Sequence, residues 1–376
     1  MDLAGHALGK SLDEWLGAVR TADFPAADKV ACAYESQPHD IKQLPIADCR
    51  AIIGPHAGFS YSGSAAAYAY KCIDSSAPVR RVFLLGPSHH YYLSKCALSK
   101  CKSYETPLGN LELDSDVIES LRSTGKFEQM TLSQDEEEHS IEMHLPYVRK
   151  IYDHRKGNDD IKIVPILVGN TSDSTQADYA QVLAPYLADS ENVFIISSDF
   201  CHWGRRFDYT AYHPQQSGDE GGVFLPLHQT RSKSERTGPK DGGMAIWESI
   251  RDLDNDGIAA ISHPVSRRIH TSAAGRNGTR VTKVSGDVAG PSEEIGATLK
   301  QKTASEAVKA FDEYMSVTGN TVCGCKPIGI LLHSLAVLEG QGRKTQVRFT
   351  RYEQSSQCLD LKDSSVSYAS AFVTVH

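Results

Sequence analysis

Short apolar runs that stop at Gly, Pro or Ser recur along this chain, at Arg50 to Gly54, Arg81 to Gly86, Ile161 to Gly169 and Asn192 to Ser198. Each is brief and rich in β-branched or aromatic residues, which predicts strands buried on both faces. Segments of helical length lie between them: Gly63 to Lys71, Ser115 to Gly125, Ser140 to Tyr152 and Gln176 to Leu187. A first helix is expected at Ser11, where Ser11 and Glu14 have capping-box spacing and Leu12, Trp15, Leu16 and Val19 share one face. Met244 to Ile261 carries Ile246, Ile250 and Leu253 at helical intervals, and another helix is expected over Ile328 to Leu338. Two late strands are expected at Gln346 to Tyr352 and Val366 to Val375. The alternation predicts an α/β fold, one domain over residues 1–376, with a central parallel or mixed sheet flanked by helices. Residues 21–48, 213–243 and 264–302 break the pattern and read as flexible insertions; the last two are rich in Gly and polar residues and poor in large apolar ones.

Composition narrows the picture. Hydrophobic residues make up 40% of the 376, enough for a sizeable core. A net charge of −8 offers no basic footprint for nucleic acid. No apolar run approaches the roughly 20 residues of a membrane span, and Met1 to His6 lacks the pattern of a secretory signal. Nine Cys without paired spacing fit a reducing compartment. The expected location is cytoplasmic, with the nucleus also open.

Chemistry-bearing side chains follow the ends of the apolar runs. Gly54-Pro55 delivers His56, and Gly86-Pro87-Ser88 delivers His89 and His90. Adjacent side chains on extended backbone point opposite ways, so only one of His89 and His90 is expected to face a shared site. Ser197-Ser198 delivers Asp199 and His202, whose spacing suits a turn or a first helical turn. Cys323 follows Thr321-Val322, and its C-x-C spacing to Cys325 is no zinc ribbon. Cys201 reads as a small buried hydrophobe. Carboxyl ends of parallel strands face one crevice. His56, His89, Asp199, His202 and Cys323 are therefore candidates for one metal or acid–base site. The stretch Glu136 to His144 lacks the spacing of two His on one helical face. Its acidic run suits a helix N-terminus, and only Glu142 and His144 are kept as pocket candidates. A G-x-S-x-G nucleophile elbow, a P-loop and a G-x-G-x-x-G fingerprint after a strand are absent from the sequence.

At these residues the chain resembles the Memo family, named for mediation of ErbB2-driven cell motility. The matching stretches are Ala51 to Gly58, Leu85 to His90, Glu138 to Tyr147, Ser198 to Gly204, Cys323 with Lys326 to Gly329, and Ser355 to Cys358 with Asp363 to Tyr368. The opening Met1 to Lys10 departs from the family's His-Ala-Gly-Ser-Trp-Tyr-like start. The resemblance implies a fold like that of class III extradiol dioxygenases. It implies metal ligands at His56, His89 and Cys323, with Asp199 and His202 as further pocket residues; Asp199 and His202, together with His144 from the pocket candidates, are the catalytic candidates. Copper or iron is the implied metal, with zinc also open, and the implied setting is redox signalling in cell motility. A non-haem iron dioxygenase and a phosphotyrosine-peptide-binding module without catalysis stand as alternatives, so enzyme status stays open. A thiolate in place of the usual carboxylate would soften the site. For the phosphopeptide, Arg205 and Arg206 are the candidate anion contacts.

Overall fold

A computed structural model describes residues 3–24, 41, 43–157, 160–212, 225–226, 244–263 and 302–376. Most of the three stretches read as insertions lies outside these described residues. The strands are β1 (Cys49–Gly54), β2 (Arg81–Pro87), β3 (Cys96–Leu98), β4 (Ser103–Tyr104), β5 (Leu111–Leu113), β6 (Glu128–Gln129), β7 (Lys162–Val168), β8 (Asn192–Ser197), β9 (Asp199–Trp203), β10 (Ala211–Tyr212), β11 (Leu225–Pro226), β12 (Thr345–Gln354) and β13 (Ser365–Val375). Eleven of them form one mixed sheet whose main path runs β12-β13-β1-β8-β2-β7-β3-β6. The four central strands β1, β8, β2 and β7 are mutually parallel. They are the four runs expected as buried strands. β13 adds antiparallel to β1, and β12 and β9 both pair antiparallel with β13.

Period-two alternation divides the core. Ala51, Ile53, Phe83, Leu85, Val164, Ile166, Phe194 and Ile196 point to one face of the sheet. There they meet the helices Asp173–Ala188, Ile246–Ile261, Ala304–Thr318 and Cys325–Gly340. Ile52, Val82, Leu84, Ile163, Val193 and Ile195 point to the other face, against Leu3–Ala18, Phe59–Tyr70 and Leu145–Ile151. Both sides of the central strands are therefore covered, which is why those runs are apolar without a polar alternate.

Three expectations change in detail, and one helix is new. The first helix begins at Leu3, not at Ser11; the Ser11 hydroxyl lies inside it and donates to the Ala7 carbonyl at 3.2 Å. Ser140 to Tyr152 is two helices, His139–Glu142 and Leu145–Ile151. Pro146 lies in the first turn of the second, where its missing N–H would have broken a continuous helix. Asp199–Trp203 is a strand, held by pairing with β13 rather than by local turn chemistry. The helix Ala304–Thr318 has a full capping box at Thr303 and Glu306, a signal hidden behind the polar stretch before it.

Phe83 and Phe194 sit opposite each other in the β2–β8 register, their rings stacked at 4.5 Å. Both are buried at the centre of the sheet. We expect Phe83→Ala to destabilise the fold by about 3–5 kcal/mol, read as a lowered urea midpoint at unchanged slope.

Candidate metal centre

Registration of the parallel strands brings their carboxyl ends to one level. Gly54 of β1 pairs with Ser197 of β8, and Leu85 of β2 pairs with Ile196 of the same strand. The residues that follow each strand therefore emerge together. Ser198 N–H donates to the Gly54 carbonyl at 2.9 Å, closing the gap between β1 and β8. Asp199 then accepts from the backbone N–H of His56 at 2.9 Å and of Ala57 at 3.4 Å. That carboxylate is buried and holds the His56 turn in place.

Two glycines let further segments approach. A Cβ on Gly86 would come within 2.5 Å of the Ser140 hydroxyl and 2.7 Å of Ile141. A Cβ on Gly324 would come within 2.3 Å of both the Ser197 carbonyl and Ser198 Cβ. Absence of a side chain at these points admits the helix His139–Glu142 on one side and the Cys323 loop on the other.

His56, His89 and His139 offer ligand atoms that all lie within 4.8 Å of one another. Ring centroids are 5.1 Å apart for His56 and His89, 5.6 Å for His56 and His139, and 4.7 Å for His89 and His139. His56 is buried, His139 half-buried and His89 exposed, so the cluster opens toward solvent. His90 is also exposed and meets only the edge of this group, at 5.8 Å from the His139 ring.

Hydrogen bonds fix the tautomers. The Ser197 hydroxyl donates its one proton to the Ser140 carbonyl at 2.6 Å. It must then accept from His56 Nδ1, also 2.6 Å away. His56 therefore carries its proton on Nδ1 and leaves Nε2 bare. His89 Nδ1 donates to Glu138 Oε1 at 2.9 Å, which leaves its Nε2 bare in the neutral ring as well. A bare nitrogen, oriented by a partner on the far side of the ring, is the form in which imidazole ligates metals. The donor set thus fits a transition-metal ion.

Electrostatics favour the same state. Burial pushes His56 well below the usual imidazole range, and the neighbouring His89, His139 and His202 add to it. Burial also lowers His139, with His89 next in effect and Glu138 opposing. Burial alone would raise the Glu138 carboxyl. Hydrogen bonds from the His89 ring, the His89 backbone and the Ser140 backbone outweigh it and hold the group at about 2.

Cys323 lies beside the cluster rather than within it. Its Sγ is 3.2 Å from His56 Nε2 and accepts from the Asp199 N–H at 3.2 Å. Burial and the Asp199 charge push the thiol well above its ordinary value, so it is protonated and can donate to the bare Nε2. Burial raises Asp199 too, against the pull of His202. His202 sits on β9 with Nδ1 donating to the Phe200 carbonyl at 2.9 Å, and its Nε2 is the free end. Arg205 and Arg206 are exposed, with the Arg206 guanidinium over the Phe207 ring at 4.4 Å. Cys201 is fully buried.

His144 and Glu142 are placed apart from the cluster. Glu142 is exposed. His144 is buried behind β1, its Nδ1 2.7 Å from the Tyr70 hydroxyl and its Nε2 without a hydrogen-bond partner among the described residues. The residue that sequence reasoning passed over is His139, together with its neighbour Glu138. The signal was a His next to an acidic residue at the start of a helix. Pairing by i, i+4 spacing misses it because its partners come from other strand ends.

Burial, with His56 adding to it, lowers His144 to about 3. An unfolded His titrates near 6.5, so between these values the unfolded chain binds the extra proton and stability falls as pH falls. From pH 6.5 to 4.5 we expect this one group to remove about 2 kcal/mol. His144→Gln should lose that much less than wild type over the same interval, compared by urea unfolding at both pH values.

A family model described as Memo-like protein matches residues 29–283 and 294–372. The protein MEMO1 of Xenopus laevis is 38% identical over 99% of this chain and 94% of its own length. The human protein MEMO1 is 36% identical over the same shares of the two chains. The memo-1 homolog of Caenorhabditis elegans is 36% identical over 88% of this chain and 74% of its own. A looser likeness links the chain to the crystal structure of an uncharacterized Escherichia coli K12 protein, at 8% identity and TM-score 0.39 over 86% of this chain and 99% of that one. Among the described residues no helix is long and apolar enough to cross a membrane. With a family model spanning most of its length and relatives above one-third identity along nearly all of it, the chain belongs to the Memo family.

Proposed function

We propose that this chain binds one redox-active transition-metal ion, copper or iron, through His56, His89 and His139, with Cys323, which lies against His56, as a further ligand. The observation that carries this reading is the convergence of three imidazoles within 4.8 Å, two of them with the bare nitrogen held by hydrogen bonding. Imidazole suits copper, iron and zinc alike, and a thiolate moves the preference toward Cu(I). Copper or iron, when bound, supplies one-electron exchange. The protein's part is to orient the ligands, leave one face open to solvent and handle protons. As a ligand Cys323 would give up its thiol proton, to Asp199 or His202 at the edge of the site, and His56 Nε2, its present acceptor at 3.2 Å, would be free for the ion. His202 Nε2 and Asp199 are the groups available to carry protons at the edge of the site. The family resemblance extends the reading to redox signalling in cell motility.

Elemental mass spectrometry of anaerobically purified protein tests it. We expect stoichiometric copper or iron in wild type and its loss in both His56→Ala and His139→Ala, with near-native thermal melting. Cys323→Ser should keep Fe(II) but bind Cu(I) more weakly. Full metal retention in the two His variants would sink the assignment.

A further inference from the structure

Glu138 is one of few buried carboxylates among the described residues, and it has no place in the ligand set. Its two oxygens receive three N–H groups. Oε2 accepts from the backbone N–H of His89 at 2.7 Å. Oε1 accepts from His89 Nδ1 at 2.9 Å and from the Ser140 N–H at 2.9 Å. The same carboxylate therefore grips His89 at two points and caps the short helix that starts with His139. His139 Nδ1 lies 3.6 Å from Oε1, near enough to share the field of the charge but too long for a hydrogen bond.

The network continues through Ser140. Its hydroxyl donates to the Pro87 carbonyl at 2.8 Å, tying the helix to the end of β2. Its carbonyl receives the Ser197 hydroxyl, which in turn receives His56 Nδ1. Three consecutive residues, Glu138, His139 and Ser140, are thus joined to every imidazole of the cluster.

From this we infer that Glu138 is the positioning residue of the metal centre. It selects the His89 tautomer with a bare Nε2 and, by capping the helix, sets where His139 stands. This rests on the metal-binding reading above, but half of it concerns the metal-free protein. Without an acceptor at Nδ1, nothing in the site distinguishes the two neutral forms of the His89 ring. Rings in the Nε2–H form would then present N–H to the ion. Loss of an orienting partner of this kind lowers metal affinity by about 10–100-fold.

The test compares wild type with Glu138→Ala and Glu138→Gln. Long-range proton–nitrogen correlation spectra of the metal-free protein report the His89 tautomer, and Co(II) titration followed by visible absorbance reports affinity. We expect wild type to hold His89 entirely as the Nδ1–H form. Glu138→Ala should show a mixture of forms and a 10–100-fold weaker Co(II) affinity. Glu138→Gln keeps one acceptor oxygen and loses the charge, so it should keep the tautomer and bind Co(II) more weakly than wild type but more tightly than Glu138→Ala. A purely structural role would lower the melting temperature and leave the tautomer alone. An unchanged tautomer or an unchanged affinity in Glu138→Ala overturns the inference. If that variant does not fold, unchanged affinity in Glu138→Gln does so. Wild type that takes up no Co(II) would defeat the metal reading itself, and the tautomer comparison would still decide what Glu138 does to His89.

Discussion

Parallel registration of β1, β8 and β2 is the constraint on which everything else at the strand ends depends. A slip of one residue would turn each strand over and send its apolar set to the wrong face. It would also move Gly54 away from Ser197, and with it the hydrogen bond from Ser198 N–H to the Gly54 carbonyl. The register is held by two separate cores, one on each side of the sheet, which read alternate residues of the same strands. Thus the precision of the His cluster originates in apolar packing well below it.

Sequence periodicity made the central strands legible because they are buried on both faces and nothing polar interrupts them. The short strands β3 to β6 were not legible, since two or three residues carry no period. β9 was misread as a turn because its residues form a strand only through β13, more than 150 positions later. The site divides in the same way. His56 and His89 could be read from the Gly-Pro turns that deliver them. Cys323 and Asp199 followed from strand ends and from family likeness, and they flank His56 at hydrogen-bonding distance. His139 could not be read, because its partners lie on other elements and the contact that brings it close is the missing side chain of Gly86.

The cluster also has a chemical polarity. On its inner side are the buried His56, a protonated thiol and the buried Asp199; on its outer side is the exposed His89, backed by the ionised but buried Glu138. Burial disfavours charge on the inner side, while three N–H donors stabilise it on the outer.

Placement of β13 between β12 and β1 has a consequence for how the chain is made. β1 ends at Gly54, and the neighbour that covers its open edge begins at Ser365, about 310 residues downstream. At roughly 5–20 residues per second, a ribosome takes on the order of 15–60 s to deliver it. For that interval β1 presents unpaired backbone, and the nascent sheet has an apolar edge with no native partner. His56, His89 and His139 are all made long before β13, so the histidine set precedes the edge that completes the sheet beside it.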